Sequence, residues 1–134
     1  MTTNSAEGIR WDLSDLYAAH DDPRIDLTIK DCYARAERFA DRFRALMQDH
    51  ETLTAESLLQ ALSELESIYE TLGRVGSYAG LLYAADTAKP EYQDLTQRVE
   101  QRSTEVRDLL LFFELEWLKF DDTIASRLIA DPTL

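Results

Sequence analysis

The residues of this chain that come nearest to a catalytic pattern are His50-Glu51-Thr52-Leu53-Thr54. In the His-Glu-x-x-His signature, two imidazoles one helical turn apart hold Zn²⁺ while the glutamate activates water. Here Thr54, a poor zinc ligand, stands at the second histidine position, and the segment falls in a predicted turn rather than inside a helix. The only other histidine, His20, lies beside Asp21 and Asp22 at a predicted helix start and reads as a surface residue. Two histidines on turns assemble neither a Ser-His-Asp nor a Cys-His centre. A di-metal site in a helical bundle needs inward Glu-x-x-His pairs, and the sequence contains none. Gly73, Gly76 and Gly80 lie inside a predicted helix rather than after a strand, so they are not a phosphate loop. The residues thus predict no catalytic group, no metal ligand and no cofactor site in this chain.

Length and composition bound the remaining classes. A chain of 134 residues with 45% hydrophobic and 30% charged side chains suits one globular domain. Only four glycines and three prolines are present, and Leu, Ala, Glu and Arg are plentiful, which favours helix. The net charge of -12 repels phosphate backbones and anionic headgroups, so neither nucleic acid nor a membrane surface is an expected partner. Arg35, Arg38, Arg42 and Arg44 each have an acid close in sequence and read as solvated helix faces with i,i+4 pairs. The single cysteine, Cys32, falls on a predicted apolar stripe and reads as a buried thiol. The N-terminal residues lack the basic and apolar regions of a signal peptide, and a cytoplasmic location is expected.

Three long helices are predicted. Residues 1–10 read as a flexible lead-in and 11–134 as a single all-helical domain. Asp12 or Ser14 is positioned to cap a short turn that brings Trp11, Leu13, Leu16 and Tyr17 onto the body. Asp21-Asp22-Pro23 is a helix start, an acidic cap followed by proline at the first helical position. Ile25, Ile29, Cys32, Ala36, Phe39, Phe43 and Leu46 then recur every three or four residues to about Asp49. Thr54 caps the second helix, with Ser57 in place of the glutamate of a full capping box.

That helix carries two apolar stripes. One runs through Leu58, Leu62, Leu65, Tyr69, Leu72, Gly76, Ala79 and Tyr83. The other runs through Ala61, Leu65, Ile68, Leu72, Val75, Ala79 and Leu82. Together they make a face wide enough for two neighbours. Core packing is the expected role of Tyr69, Tyr78 and Tyr83. Three glycines inside the helix each cost about 1 kcal/mol against alanine; close approach of another helix or loop backbone is the expected reason for them, with a kink as the alternative.

Asp86-Thr87-Ala88-Lys89-Pro90 separates the second helix from the third. The third is expected to bury Tyr92, Leu95, Val99, Val106, Leu110, Phe113, Trp117 and Phe120, with Arg102 interrupting. Asp121-Asp122 caps a short last helix. The fold class is therefore all-α, an antiparallel up-down-up array of three long helices with short flanking helices.

The stretch from Leu109 to Phe120 is so apolar that little of it can face water. Glu114 and Glu116 interrupt it on opposite sides of the helix, and one of them is expected to be ion-paired within the fold. The helices are expected to carry more apolar area than they can cover by themselves. Gly73, Gly76, Gly80, Tyr83, Phe113, Glu114, Glu116, Trp117 and Phe120 are the candidate contacts with a further lobe or with a second copy.

Three segments carry a family resemblance: Trp11-Asp12-Leu13-Ser14-Asp15-Leu16-Tyr17, then Tyr78-Ala79-Gly80-Leu81-Leu82-Tyr83-Ala84-Ala85-Asp86-Thr87 followed by Tyr92, then Phe112-Phe113-Glu114-Leu115-Glu116. In order and spacing the chain, from about Ile9 onward, resembles the amino-terminal domain of oligoendopeptidase F-like zinc metallopeptidases, in the thimet-oligopeptidase-like group. The resemblance implies a helical lobe that helps enclose a channel for short peptides. The carboxy-terminal catalytic lobe of such an enzyme carries His-Glu-x-x-His, a further glutamate ligand and the zinc. None of those positions has a match here, so the resemblance implies a lobe inactive by itself whose partner is the catalytic lobe. The alternative expectation is a free-standing helical module that forms homodimers.

Overall fold

The computed structural model describes residues 17–133. The expected lead-in over residues 1–10 and the short capped turn around Trp11 to Leu16 lie outside the described residues. Four helices follow one another: α1 (Pro23–Gln48), α2 (Ala55–Ala85), α3 (Pro90–Leu118) and the short α4 (Asp122–Ala130). Among the described residues there is no strand.

The caps are set by local chemistry. Asp22 accepts a hydrogen bond from the Arg24 amide at 2.9 Å and another from Ala18 at 2.9 Å, and Pro23 opens α1 behind it. The Arg24 guanidinium folds back on the same carboxylate at 2.6 Å and, with these amides, holds its pKa well below the usual range. Thr54 Oγ1 accepts from the Ser57 amide at 3.1 Å, and Asp121 accepts from the Ile124 amide at 2.8 Å. Pro90 starts α3 without a side-chain cap at Lys89.

Short turns make neighbouring helices antiparallel, and the cross-contacts fix the register. Arg35 and Arg42 on α1 reach Glu64 and Gln60 on α2, so the two run in opposite directions. Asp26 pairs with Arg98 near the start of α3, while Phe39 meets Phe112 and Phe113 near its end, so α1 and α3 run in parallel. The architecture is the expected up-down-up array.

The core lies along the common axis of the three long helices. α1 contributes Ile25, Ile29, Cys32, Ala36, Phe39, Phe43 and Met47. Met47 takes the position expected of Leu46, which is 39% exposed. On α2 the second of the two stripes forms the core, with Ala61, Ile68, Leu72, Val75 and Ala79 buried. The outer members of the first stripe face solvent, so Tyr69 and Tyr83 are surface residues and only Tyr78 of the three tyrosines is buried. On α3 the buried line passes through Leu95, Val99, Ser103, Val106, Leu110 and Phe113, with Ser103 at the gap expected of Arg102. Cys32 is fully buried, and burial pushes its thiol pKa up.

Three of the α1 arginines, Arg35, Arg42 and Arg44, reach neighbouring helices rather than i,i+4 partners. Arg35 bridges Glu64 and Ser67, Arg42 lies over the Phe43 ring while bonding Gln60, and Arg44 lies over Phe112 on α3. Among the described residues the i,i+4 ion pair is instead Glu70–Arg74 on α2, at 3.0 Å.

Candidate interaction site

His50 packs between the turn after α1 and the end of α3. Its imidazole lies in the turn after α1, edge-on to Phe120 at a centroid distance of 4.5 Å. Nε2 is buried 3.6 Å from Glu116 Oε2, just beyond hydrogen-bonding length. Thr54, at the place of the signature's second histidine, accepts the Ser57 amide on its hydroxyl oxygen and so caps α2. Among the described residues no group of three or more His, Cys, Asp or Glu side chains is placed to hold a metal ion.

Glu116 is the buried acid of the apolar run, 8% exposed, and it accepts a hydrogen bond from Lys119 Nζ at 2.9 Å. That bond, followed by the nearby charges of Lys119 and His50, lowers its pKa despite the opposing effect of burial. Glu114 faces solvent on another side of α3. Its charge acts on the Tyr69 hydroxyl of α2, where burial first and Glu114 second raise the phenol's pKa.

The expected contact residues divide between core and surface. Phe113 is buried, and Trp117 and Phe120 are half-buried against the core, with their rings 5.1 Å apart. The uncovered apolar side chains of this stretch are Leu111, Leu115 and Leu118, which are 46%, 50% and 73% exposed. They lie one turn apart along the outward side of α3, inside the run from Leu109 to Phe120 whose apolar excess the sequence predicts, but they are not the residues that sequence reasoning singled out there, which were Phe113, Glu114, Glu116, Trp117 and Phe120.

Gly73, Gly76 and Gly80 lie on the exposed side of α2. A methyl group added at any of them would meet no atom within 4 Å, so no other part of the described chain packs closely there. Their company on that side is apolar: Leu59, Leu62, Tyr69 and Tyr83 are each 36–41% exposed.

A shallow depression of about 310 Å³ is lined by Asp94, Gln97, Arg98, Gln101, Arg102 and Glu105. All six belong to α3, so it is the polar face of one helix rather than a cleft between elements. Among the described residues no helix is long and apolar enough to cross a membrane. Among the described residues two faces expose apolar side chains, one on α2 and one on the last turns of α3. Comparison with family models, with curated proteins and with solved structures finds no match.

Proposed function

We propose that this chain is the non-catalytic helical lobe of an oligoendopeptidase F-like zinc metalloendopeptidase, walling the channel that admits short peptides in the cytoplasm. What supports this reading is the order and spacing of the three segments of the resemblance, and the described residues of those segments pack into one helical body. Tyr17, which closes the first segment, packs edge-on against Tyr78, which opens the second, at a centroid distance of 5.0 Å. Tyr92 stands beside His20, at 5.7 Å, next to that junction. The third segment supplies Phe112 and Phe113 to the core against Phe39. Residues far apart in sequence thus combine into one helical body.

The zinc of such an enzyme belongs to its other lobe, and this chain supplies none of the ligands. Its part is surface. Leu111, Leu115 and Leu118 give the catalytic lobe an apolar strip to cover, flanked by the half-buried Trp117 and Phe120. Covering such a strip is favourable by roughly 25 cal/mol per Å² removed from water.

Two measurements test the reading. The chain incubated with zinc and a short fluorogenic peptide is expected to show no hydrolysis, and zinc-dependent turnover would refute its non-catalytic role. The coding frame downstream of residue 134 is expected to contain His-Glu-x-x-His; an open frame without it removes the peptidase parentage.

A further inference from the structure

Along α2 one exposed line repeats at alternating three and four residues. Its first half is Leu59, Leu62, Glu66 and Tyr69; its second half is Gly73, Gly76, Gly80 and Tyr83. All of them face solvent. The average spacing of 3.5 is the period of a seam between two helices that supercoil left-handedly. Among the described residues nothing packs onto the three glycines, since a methyl group added at any of them would touch no atom within 4 Å.

The bulk along the line is distributed unevenly, large in the first half and absent over most of the second. We propose that this line is the contact through which two copies of the chain pair, α2 against α2, antiparallel, with the twofold axis crossing between Tyr69 and Gly73. In that register Tyr69 lies over the partner's Gly73, Glu66 over the partner's Gly76, and Leu62 over the partner's Gly80. Leu59 then meets the partner's Tyr83 at each end. Every layer but the outermost sets a side chain over a glycine, and the match repeats on both sides of the axis as an isologous contact requires.

A parallel pairing has no such fit. It sets Leu62 against Leu62 and Tyr69 against Tyr69, and leaves glycine facing glycine across a gap that close-packed interfaces do not leave. Glu66 is the single charged residue in the line, and one polar seam position selects a register at some cost in stability.

This pairing is independent of the peptidase reading, and its test needs only the chain itself. Sedimentation equilibrium over a range of concentrations is expected to show a monomer–dimer equilibrium. Gly80→Leu places leucine opposite Leu62 and is expected to weaken the dimer about tenfold or more while the helical circular dichroism is retained. The swap Leu62→Ala with Gly80→Leu moves the bulk across the same layer and is expected to restore dimerisation. Gly73→Ala with Gly76→Ala, which intrudes less on the fold, is expected to weaken association in the same sense. A chain that stays monomeric at high concentration overturns the proposal, as does a Gly80→Leu variant that dimerises as well as the parent or a swap that recovers nothing.

Discussion

The carboxylate of Glu116 lies 3.6 Å from Nε2 of His50, joining the end of α3 to the turn between α1 and α2. The same carboxylate accepts a 2.9 Å hydrogen bond from Lys119, and it is 8% exposed. A buried acid is tolerated here because both oxygens face partners that favour the charged form.

Glu116→Gln removes that charge while keeping the shape. It is expected to lower stability at neutral pH by about 1 kcal/mol, a modest figure because Lys119 remains largely in water. The pH dependence has a definite sign. Lys119 first, then His50, lowers the folded pKa of Glu116 beneath its ordinary value of 4.5. Its contribution is therefore complete above that value and is lost as pH falls through the folded pKa. Urea midpoints followed from neutral pH into acid are expected to fall less steeply for Glu116→Gln than for the parent. Parallel curves would show that Glu116 titrates as it does in the unfolded chain.

Arg127 is what pins α4 to the same turn. Its Nη2 donates to the carbonyls of His50 and Leu53, at 3.1 and 3.0 Å, and the neighbouring Leu128 is buried. Arg127→Ala leaves those two carbonyls to water and is expected to cost about 1–2 kcal/mol, confined mainly to α4. Hydrogen exchange should quicken at α4 amides while the core of α1 and α3 stays protected. Uniform quickening across all helices would mean that α4 unfolds only with the whole domain.

The parts of this fold that are legible in sequence are those decided within a few residues. Asp22, Thr54 and Asp121 cap the helices they precede, because a side-chain oxygen and an unpaired amide two or three residues away need nothing from the rest of the chain. The buried side of α2 is different. Two apolar stripes share Leu65, Leu72 and Ala79, and which stripe faces inward depends on where α1 and α3 lie. Periodicity carries no such information, so Tyr69 and Tyr83 read as core although they face solvent. The same holds for the interhelical arginines: Arg35 has acids nearby on its own helix, yet it reaches Glu64 on the next. The exposed side of α3 at Leu111, Leu115 and Leu118 was hidden inside a run that is apolar all round.

Tyr17 and Tyr78 pack edge-on with ring centroids 5.0 Å apart, and their coupling is measurable. Tyr78 is 2% exposed, and burial raises its phenol pKa ahead of the nearby Tyr92. Tyr78→Ala is expected to cost about 3–5 kcal/mol, as for other large core aromatics. A double-mutant cycle with Tyr17→Ala is expected to give a coupling of about 0.5–1.5 kcal/mol, the usual value for an edge-on aromatic pair. Additive effects would mean that the contact contributes only area.

The glycines of α2 separate what the lone chain needs from what an interface needs. Gly73, Gly76 and Gly80 lie in the interior of a 31-residue helix, where glycine is the poorest residue short of proline. Each has open space where a methyl group would go, so alanine adds no clash. At concentrations low enough to keep the chain monomeric, each single Gly→Ala change is therefore expected to raise stability by up to about 1 kcal/mol, through the entropy of the unfolded chain and the intrinsic preference for helix. Thermal unfolding of the dilute single variants checks this. A destabilised Gly76→Ala monomer would mean that some part of the chain packs against that side of α2 after all. A stabilised one would leave the glycines without a purpose inside the monomer, and their cost to the helix would then need an explanation from a surface that another molecule covers.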